Sequence, residues 1–158
     1  MQVSTYPSAT ALLDSVLPTL EMSTDTFYQN LHYHGEKPIT QPMNTPVKWK
    51  EVLEVFYTLD ISKPALQGLY QVEETTKDSV RWMHYTTNDE KLPVKSFSLH
   101  LDTLGCVAFT GKIRKENLIS GHEVNLSAHL RNMDFAYEGR RWTLWSTDTV
   151  PFGVRVFK

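Results

Sequence analysis

The chain has 158 residues, of which 41% are hydrophobic and 22% charged, and 16 basic against 18 acidic side chains give a formal net charge of -2. These values fit one globular domain and exclude an intrinsically disordered chain. Because there is no basic excess, nucleic acid is not an expected partner. No apolar run is long enough for a transmembrane helix, so no membrane span is expected. Cys106 is the single cysteine, which favours a reducing compartment such as the cytoplasm.

Two helices are predicted in the first third of the chain. Ser8 is a suitable N-cap for a helix over residues 9–17, which Pro18 would interrupt. A second helix is predicted over residues 47–59, because apolar side chains recur there at helical spacing. Those side chains are Trp49, Val52, Leu53 and Phe56.

From residue 66 onward, runs of strand-forming residues alternate with turn residues, which favours consecutive antiparallel strands. The predicted strands are residues 26–34, 68–73, 80–86, 94–101, 105–112, 122–137 and 140–157. Glu138-Gly139 is typical of a tight hairpin turn between the last two strands. The predicted fold class is α+β, with residues 1–158 forming one domain in which helices pack on one face of a curved antiparallel sheet.

Two histidines raise the question of a metal site. His32 and His34 point to the same side of a predicted strand, as metal ligands can. A metal site needs a third and usually a fourth ligand, for which Glu36 nearby and His129 or Asp148 elsewhere are the candidates. The alternative is a pair of ordinary surface histidines, since a lone pair is a weak signal. No phosphate-binding or dinucleotide-binding motif occurs, so no metal and no organic cofactor is expected. Cys106 lies in an apolar run without a neighbouring histidine, which predicts an inert thiol.

A different group of residues suits acid–base chemistry. The hydroxyl of Tyr28 and the amide of Asn30 could together orient a carbonyl oxygen or a water molecule. The carboxyl of Asp148 would have a raised pKa in an apolar cavity and could exchange a proton near neutral pH. His129 is the next candidate if Asp148 points outward. The competing hypothesis is that these groups only satisfy one another's hydrogen bonds.

Aromatic residues could form the walls of such a cavity and exclude water. His32, Trp82, Trp142 and Trp145 are the predicted substrate-binding residues. The alternative for any one of the aromatic side chains is a place in the hydrophobic core. Strand alternation adds that Asn125, Ser127, His129 and Arg131 share a face.

Several short segments resemble limonene epoxide hydrolases, which belong to the nuclear-transport-factor-2-like superfold together with SnoaL-like polyketide cyclases. The similar segments are DTFYQN at residues 25–30, PMN at 42–44, GCV at 105–107, GHEVNL at 121–126 and WTLWSTD at 142–148. The resemblance implies a cone-like half-barrel with N-terminal helices over its concave face. Tyr28, Asn30 and, with an offset of one residue, Asp148 carry over. The family's Arg and Asp on a central strand are replaced by Gly111 and Ile113, which disfavours epoxide hydrolysis.

Three functional hypotheses follow. The first is a cofactor-independent cyclase or isomerase, or a lyase such as a dehydratase, that acts on a hydrophobic polyketide-like or terpenoid-like molecule in an apolar cavity. The second is a non-enzymatic module on the same fold that binds a small molecule or forms a homodimer through the exposed sheet. The third is a small β-barrel carrier. A closed apolar cavity would favour the enzyme, whereas a sealed core or a shallow groove would favour the binding module.

Overall fold

The computed structural model describes residues 6–33, 35–145 and 150–158. The helical elements are α1 (Ala9–Met22), α2 (Trp49–Val52), α3 (Glu54–Tyr57) and a 3-10 turn (Pro64–Leu66). The strands are β1 (Tyr28–Tyr33), β2 (Ile39–Pro42), β3 (Gln71–Lys77), β4 (Val80–Thr86), β5 (Val94–Asp102), β6 (Gly105–Glu116), β7 (Ser120–His129), β8 (Asp134–Thr143) and β9 (Val150–Phe157). The predicted α+β class is confirmed. Among the described residues, no helix combines the length and the apolarity needed to cross a bilayer.

All described strands belong to one antiparallel sheet with the order β2-β1-β9-β8-β7-β6-β5-β4-β3. The run from β3 to β9 follows chain order, and β1 pairs with β9 to continue the sheet on the far side. The sheet is not closed, because β2 and β3 lie at opposite edges of this order. The hypothesis of a closed barrel carrier is therefore wrong. The segment between residues 66 and 94 supplies the β3–β4 hairpin, which extends one edge of the sheet.

Helix α1 begins where the sequence predicts and ends later. The Ser8 hydroxyl oxygen accepts a hydrogen bond from the Ala11 N–H at 3.0 Å, so Ser8 is the N-cap. Pro18 does not end the helix, which continues to Met22. A proline inside a helix removes a hydrogen bond, and here the extra turn also buries Leu20. Burial of a leucine side chain contributes about 2 kcal/mol, which offsets part of that cost.

The second predicted helix consists of two short helices, α2 and α3, which meet at Leu53. Its apolar residues face the sheet as the spacing predicts. Trp49, Leu53 and Phe56 are buried, and the Phe56 ring contacts the Phe135 ring edge to face at 5.8 Å. The core side of the sheet is filled by the large side chains of Phe56, Phe97, Phe109, Phe135, Leu13, Leu20, Leu53, Leu59 and Ile61.

The last two predicted strands have different boundaries from those expected. Glu138 and Gly139 lie in the middle of β8, so the predicted hairpin turn there is wrong. Gly139 pairs with Val124, and a methyl group in its place would collide with the Glu123 carbonyl oxygen of the neighbouring strand. The glycine therefore permits close strand packing. The reversal occurs instead at residues 130–133, where Met133 has a φ of 53°.

Candidate ligand-binding groove

The two faces of the sheet differ in chemistry. Alternation along each strand sends the apolar residues toward the helices and the other residues to the face that the helices leave uncovered, here called the helix-free face. Tyr28, Asn30 and His32 pair with Phe157, Arg155 and Gly153 of β9. They lie on the helix-free face, because the alternate β9 residues Val154 and Val156 belong to the core side. On β7 this face carries Asn125, Ser127 and His129, as the alternation predicts. The alternation also predicts Arg131 on the same face, but Arg131 lies in the turn that follows β7.

Two rows of paired residues cross β7, β8, β9 and β1 on the helix-free face. The first row consists of Ser127, Ala136, Arg155 and Asn30. The second row consists of Asn125, Glu138, Gly153 and His32. A groove of about 580 Å³ lies over these rows, and Pro38 adds to its lining from the β1–β2 connection. Ala136 and Gly153 have the smallest side chains in the rows, so they form the floor and the longer polar side chains form the walls.

Hydrogen bonds set the direction of two wall residues. The Arg155 guanidinium donates to both carboxylate oxygens of Asp134, with Nε–Oδ1 at 3.0 Å and Nη2–Oδ2 at 2.6 Å. The Asn30 amide Nδ2 donates to the Thr40 hydroxyl at 2.7 Å, which leaves its carbonyl oxygen as an acceptor. The charge of Arg155 is thus paired within the protein. Glu138, which pairs with Asn125 and Gly153, is the carboxylate that lines the groove itself.

The groove continues toward one end of the sheet. A second cavity of about 290 Å³ shares His32, Asn125 and Glu138 with it and extends to Glu123 and Arg140. The groove and its extension are open to solvent along the sheet, and they offer hydrogen-bond donors and acceptors around a small-residue floor. This arrangement suits reversible recognition of a small molecule.

The predicted acid–base residues are spread over different places. Asn30 and His32 line the groove. Tyr28 lies on the same face, where its ring stacks on Phe157 at 6.0 Å, outside the groove lining. His129 is exposed at the end of β7. Asp148 and His34 lie outside the described residues, so the proposed Tyr28–Asn30–Asp148 constellation stays a prediction.

The predicted wall residue Trp82 belongs to another cluster. Trp82 lies on β4, and its ring centroid is 3.8 Å from that of His100 on β5. His84 Nδ1 lies 2.8 Å from the Ser98 hydroxyl. Burial lowers the pKa of His100, and repulsion from His129 and His84 lowers it further. Within the described part of the chain, no three His, Cys, Asp or Glu side chains converge as metal ligands would.

The other two predicted aromatic wall residues lie near the end of β8. Trp142 is half-buried on the helix-free face, and its ring lies 5.6 Å from the Arg114 guanidinium and 6.0 Å from that of Arg140. Trp145 follows the strand and is 78% exposed. Neither residue lines the groove. Cys106 is half-buried, and burial raises the pKa of its thiol, so the thiol stays protonated near neutral pH.

Sequence reasoning did not single out Arg155, Glu138 or Pro38 as site residues. Alternation along β7 predicts that Asn125 and Ser127 share a face. It does not predict that Asn30 and His32 of β1 lie on that same face, because β1 joins this part of the sheet only by pairing with β9. The signal that could have found the groove is the small residue Gly153 inside the apolar run of β9, since an interior glycine marks a close approach or an open space.

No protein-family model, no curated protein and no solved structure matches the chain. The resemblance to the nuclear-transport-factor-2-like superfold therefore stays a prediction.

Proposed function

We propose that this protein is a small-molecule-binding module and that the ligand lies in the groove on the helix-free face. The main observation in support is that the helix side of the sheet is filled by side chains, whereas the other side has an open groove. On the helix side, large side chains such as Phe56, Leu59 and Phe135 are fully buried and fill the core. On the other side, a groove of about 580 Å³ lies over small and polar residues, which is within the usual size range of ligand pockets.

The lining defines the class of ligand. Ala136 and Gly153 offer a flat apolar floor, and the Asn125 amide, the Ser127 hydroxyl and the Glu138 carboxylate stand at its edge. A planar, largely hydrophobic molecule with hydroxyl or carbonyl groups on its rim fits this arrangement. Glu138 would accept a hydrogen bond from a ligand hydroxyl, since an ionised carboxylate acts only as an acceptor.

The proposal includes the expected shape of the sheet, a cone-like half-barrel with the N-terminal helices over its concave face. The β5–β6 pair supports curvature, because its register shifts between Val94 and Ser96 and again between His100 and Leu101. Such irregularities bend a strand and increase its local twist.

A variant that fills the groove tests the proposal. A methyl group on Gly153 would meet the Glu138 and His32 Cβ atoms at 3.7 Å, an ordinary contact distance, so Gly153→Leu should fold and occupy the floor. Thr75→Leu on the exposed edge strand β3 is the matched control. Ligand-detected NMR with a panel of bicyclic aromatic alcohols and ketones should show binding to the wild type and to T75L, and loss with G153L.

Two outcomes would contradict the binding module. Equal binding of the panel to wild type and G153L would place the ligand elsewhere. A change of oligomeric state in G153L without any ligand effect would instead favour the homodimerisation module. The cyclase or isomerase activity predicted from the sequence has Asp148 as its leading acid–base candidate and His129 as the next. It remains a separate prediction, to be tested with Asp148→Asn once a ligand is known.

A further inference from the structure

One end of the sheet carries large apolar side chains that point into solvent. They lie on two neighbouring connections, the β6–β7 turn and the segment that follows β8. Leu118 is 93% exposed and Trp145 is 78% exposed. The exposed set, here called the loop tips, consists of Leu118, Ile119, Leu144 and Trp145. Exposed apolar clusters of this kind mark interaction sites in folded proteins.

The loop tips are held in place by hydrogen bonds. The Asn117 side-chain oxygen accepts from the N–H groups of Ile119 and Ser120 at 2.8 and 2.9 Å, which shapes the β6–β7 turn. The Leu144 N–H donates to the Ile119 carbonyl at 2.7 Å, which joins the two connections. The four exposed apolar residues therefore lie beside one another at one structured end of the sheet.

Cationic side chains lie on the two strands that lead to the loop tips. This set, here called the basic collar, consists of Lys112, Arg114, Lys115, Arg140 and Arg141. All five lie within about 20 Å of the loop tips along their strands, at about 3.3 Å per residue. The carboxylates within the same distance on the described parts of these strands are Glu116, Glu123 and Glu138, so five cations against three anions leave an excess of two positive charges. The whole chain has a net charge of -2, so this end of the sheet differs in sign from the rest.

The carboxylate at the centre of the basic collar cannot neutralise it. Glu123 is only 12% exposed, and its oxygens lie 3.4 Å from Lys112 Nζ, 3.8 Å from Arg114 Nη1 and 3.6 Å from Arg140 Nη2. These distances are longer than those of strong charge-assisted hydrogen bonds, which are about 2.7–2.9 Å. Arg114 also donates from Nη2 to Glu116 Oε2 at 3.0 Å. Lys112 and Arg140 are therefore the two of these cations that keep donor groups for an external anion.

We propose that this end of the sheet docks on an anionic lipid bilayer surface. The loop tips enter the boundary between headgroups and acyl chains, and the basic collar contacts the negatively charged headgroups. Trp142, which lies between the Arg114 and Arg140 guanidinium groups, is placed at the level where tryptophan is enriched in membrane proteins. Charge complementarity favours a bilayer as the partner, since an excess of cations beside exposed apolar residues matches an anionic surface with an apolar interior. The proposal is independent of the groove.

Vesicle co-sedimentation tests the role of the loop tips. The wild type should bind mixed phosphatidylcholine–phosphatidylserine vesicles better than pure phosphatidylcholine vesicles, and binding should weaken as salt rises. Leu118→Ser with Trp145→Ser should weaken binding by about tenfold or more, because the inserted apolar area is lost. Leu104→Ser is the matched control, since Leu104 is 86% exposed on the β5–β6 turn at the opposite end of the sheet.

A charge substitution tests the basic collar separately. Lys115→Gln should weaken binding to the phosphatidylserine vesicles about fivefold at low salt. Lys77→Gln, at the opposite end of the sheet on β3, should leave binding unchanged. Since all these side chains are exposed, thermal unfolding of each variant should match the wild type.

Three results would overturn the proposal. The first is equal binding of the wild type to neutral and anionic vesicles. The second is an equal effect of L104S and of the L118S/W145S double variant. The third is a wild-type dimer in sedimentation velocity without vesicles that the loop-tip variant converts to a monomer, which would make this end an interface between copies of the chain.

Discussion

The indole of Trp142 lies against the backbone of Gly121 on the neighbouring strand. A methyl group on Gly121 would come within 2.8 Å of the indole Nε1 and closer still to its ring carbons. Gly121 is buried by this contact and pairs directly with Trp142 in the β7–β8 ladder. The missing side chain at Gly121 therefore leaves the space in which the indole lies, between the Arg114 and Arg140 guanidinium groups.

The first prediction concerns this contact between Gly121 and Trp142. Gly121→Ala should lower the free energy of unfolding by about 1–3 kcal/mol, because the indole must leave its position. Denaturant unfolding measures the effect. In a Trp142→Ala background the same substitution should lower the free energy of unfolding much less. An equal decrease in both backgrounds would show that the contact is not the cause.

A second prediction uses the contact between Leu59 and the sheet. A methyl group on Gly111 would overlap the Leu59 side chain and lie 3.1 Å from the Ser96 carbonyl oxygen. Gly111→Ala should therefore destabilise the fold by about 1–3 kcal/mol in chemical denaturation. Gly153→Ala is the matched control, since its methyl group meets neighbours only at 3.7 Å or more. A smaller decrease in the free energy of unfolding for G111A than for G153A would contradict the close contact of Leu59 with Gly111.

The third prediction concerns Asp60, which connects α1 with the segment after α3. Burial alone would raise the pKa of this carboxyl, but hydrogen bonds from Ser62, Thr10 and Ser8 together hold it well below its usual range. Because the folded pKa is depressed, the stabilisation is fully present above the unfolded pKa of about 4 and is lost as pH falls through the folded pKa.

Asp60→Asn should therefore lower the free energy of unfolding by about 1–3 kcal/mol at pH 7. The difference in this free energy between variant and wild type should become smaller as the pH falls below about 4. Urea unfolding at a series of pH values measures both effects. Asp78→Asn, on the exposed β3–β4 turn, should not lower the free energy of unfolding to a comparable extent. A gap between D60N and wild type that stays constant down to pH 2 would rule out the carboxylate charge as the cause.

A fourth prediction concerns the hydroxyl of Tyr6. It donates to the Tyr70 carbonyl at 3.0 Å and accepts from the N–H groups of Gly68 and Tyr70 at 2.9 and 3.2 Å. Tyr6→Phe leaves these buried backbone groups without their partner, which should cost about 1–3 kcal/mol in thermal or denaturant unfolding. Tyr33→Phe, at an exposed tyrosine of β1, is the control, and a similar loss in both variants would argue against the hydrogen bonds.

Local patterns in the sequence determined much of the secondary structure. The capping hydroxyl of Ser8, the helical spacing of Trp49 and Phe56, and the alternation along β1 and β7 each depend on residues a few positions apart. Such short-range relations are visible in one sequence. They led to the α+β class, to the helix positions and to the sharing of a face by Asn125, Ser127 and His129.

Only the tertiary structure decided where the strands reverse and which faces meet. Glu138-Gly139 has the composition of a turn, yet Gly139 serves close packing against Glu123 in the middle of a strand. The pairing of β1 with β9 joins residues more than 100 positions apart, so Asn30 and Gly153 could not be placed in one groove from local patterns. Long-range pairing depends on the burial of the whole sheet face, and that is why the groove and the basic collar appear only in the folded chain.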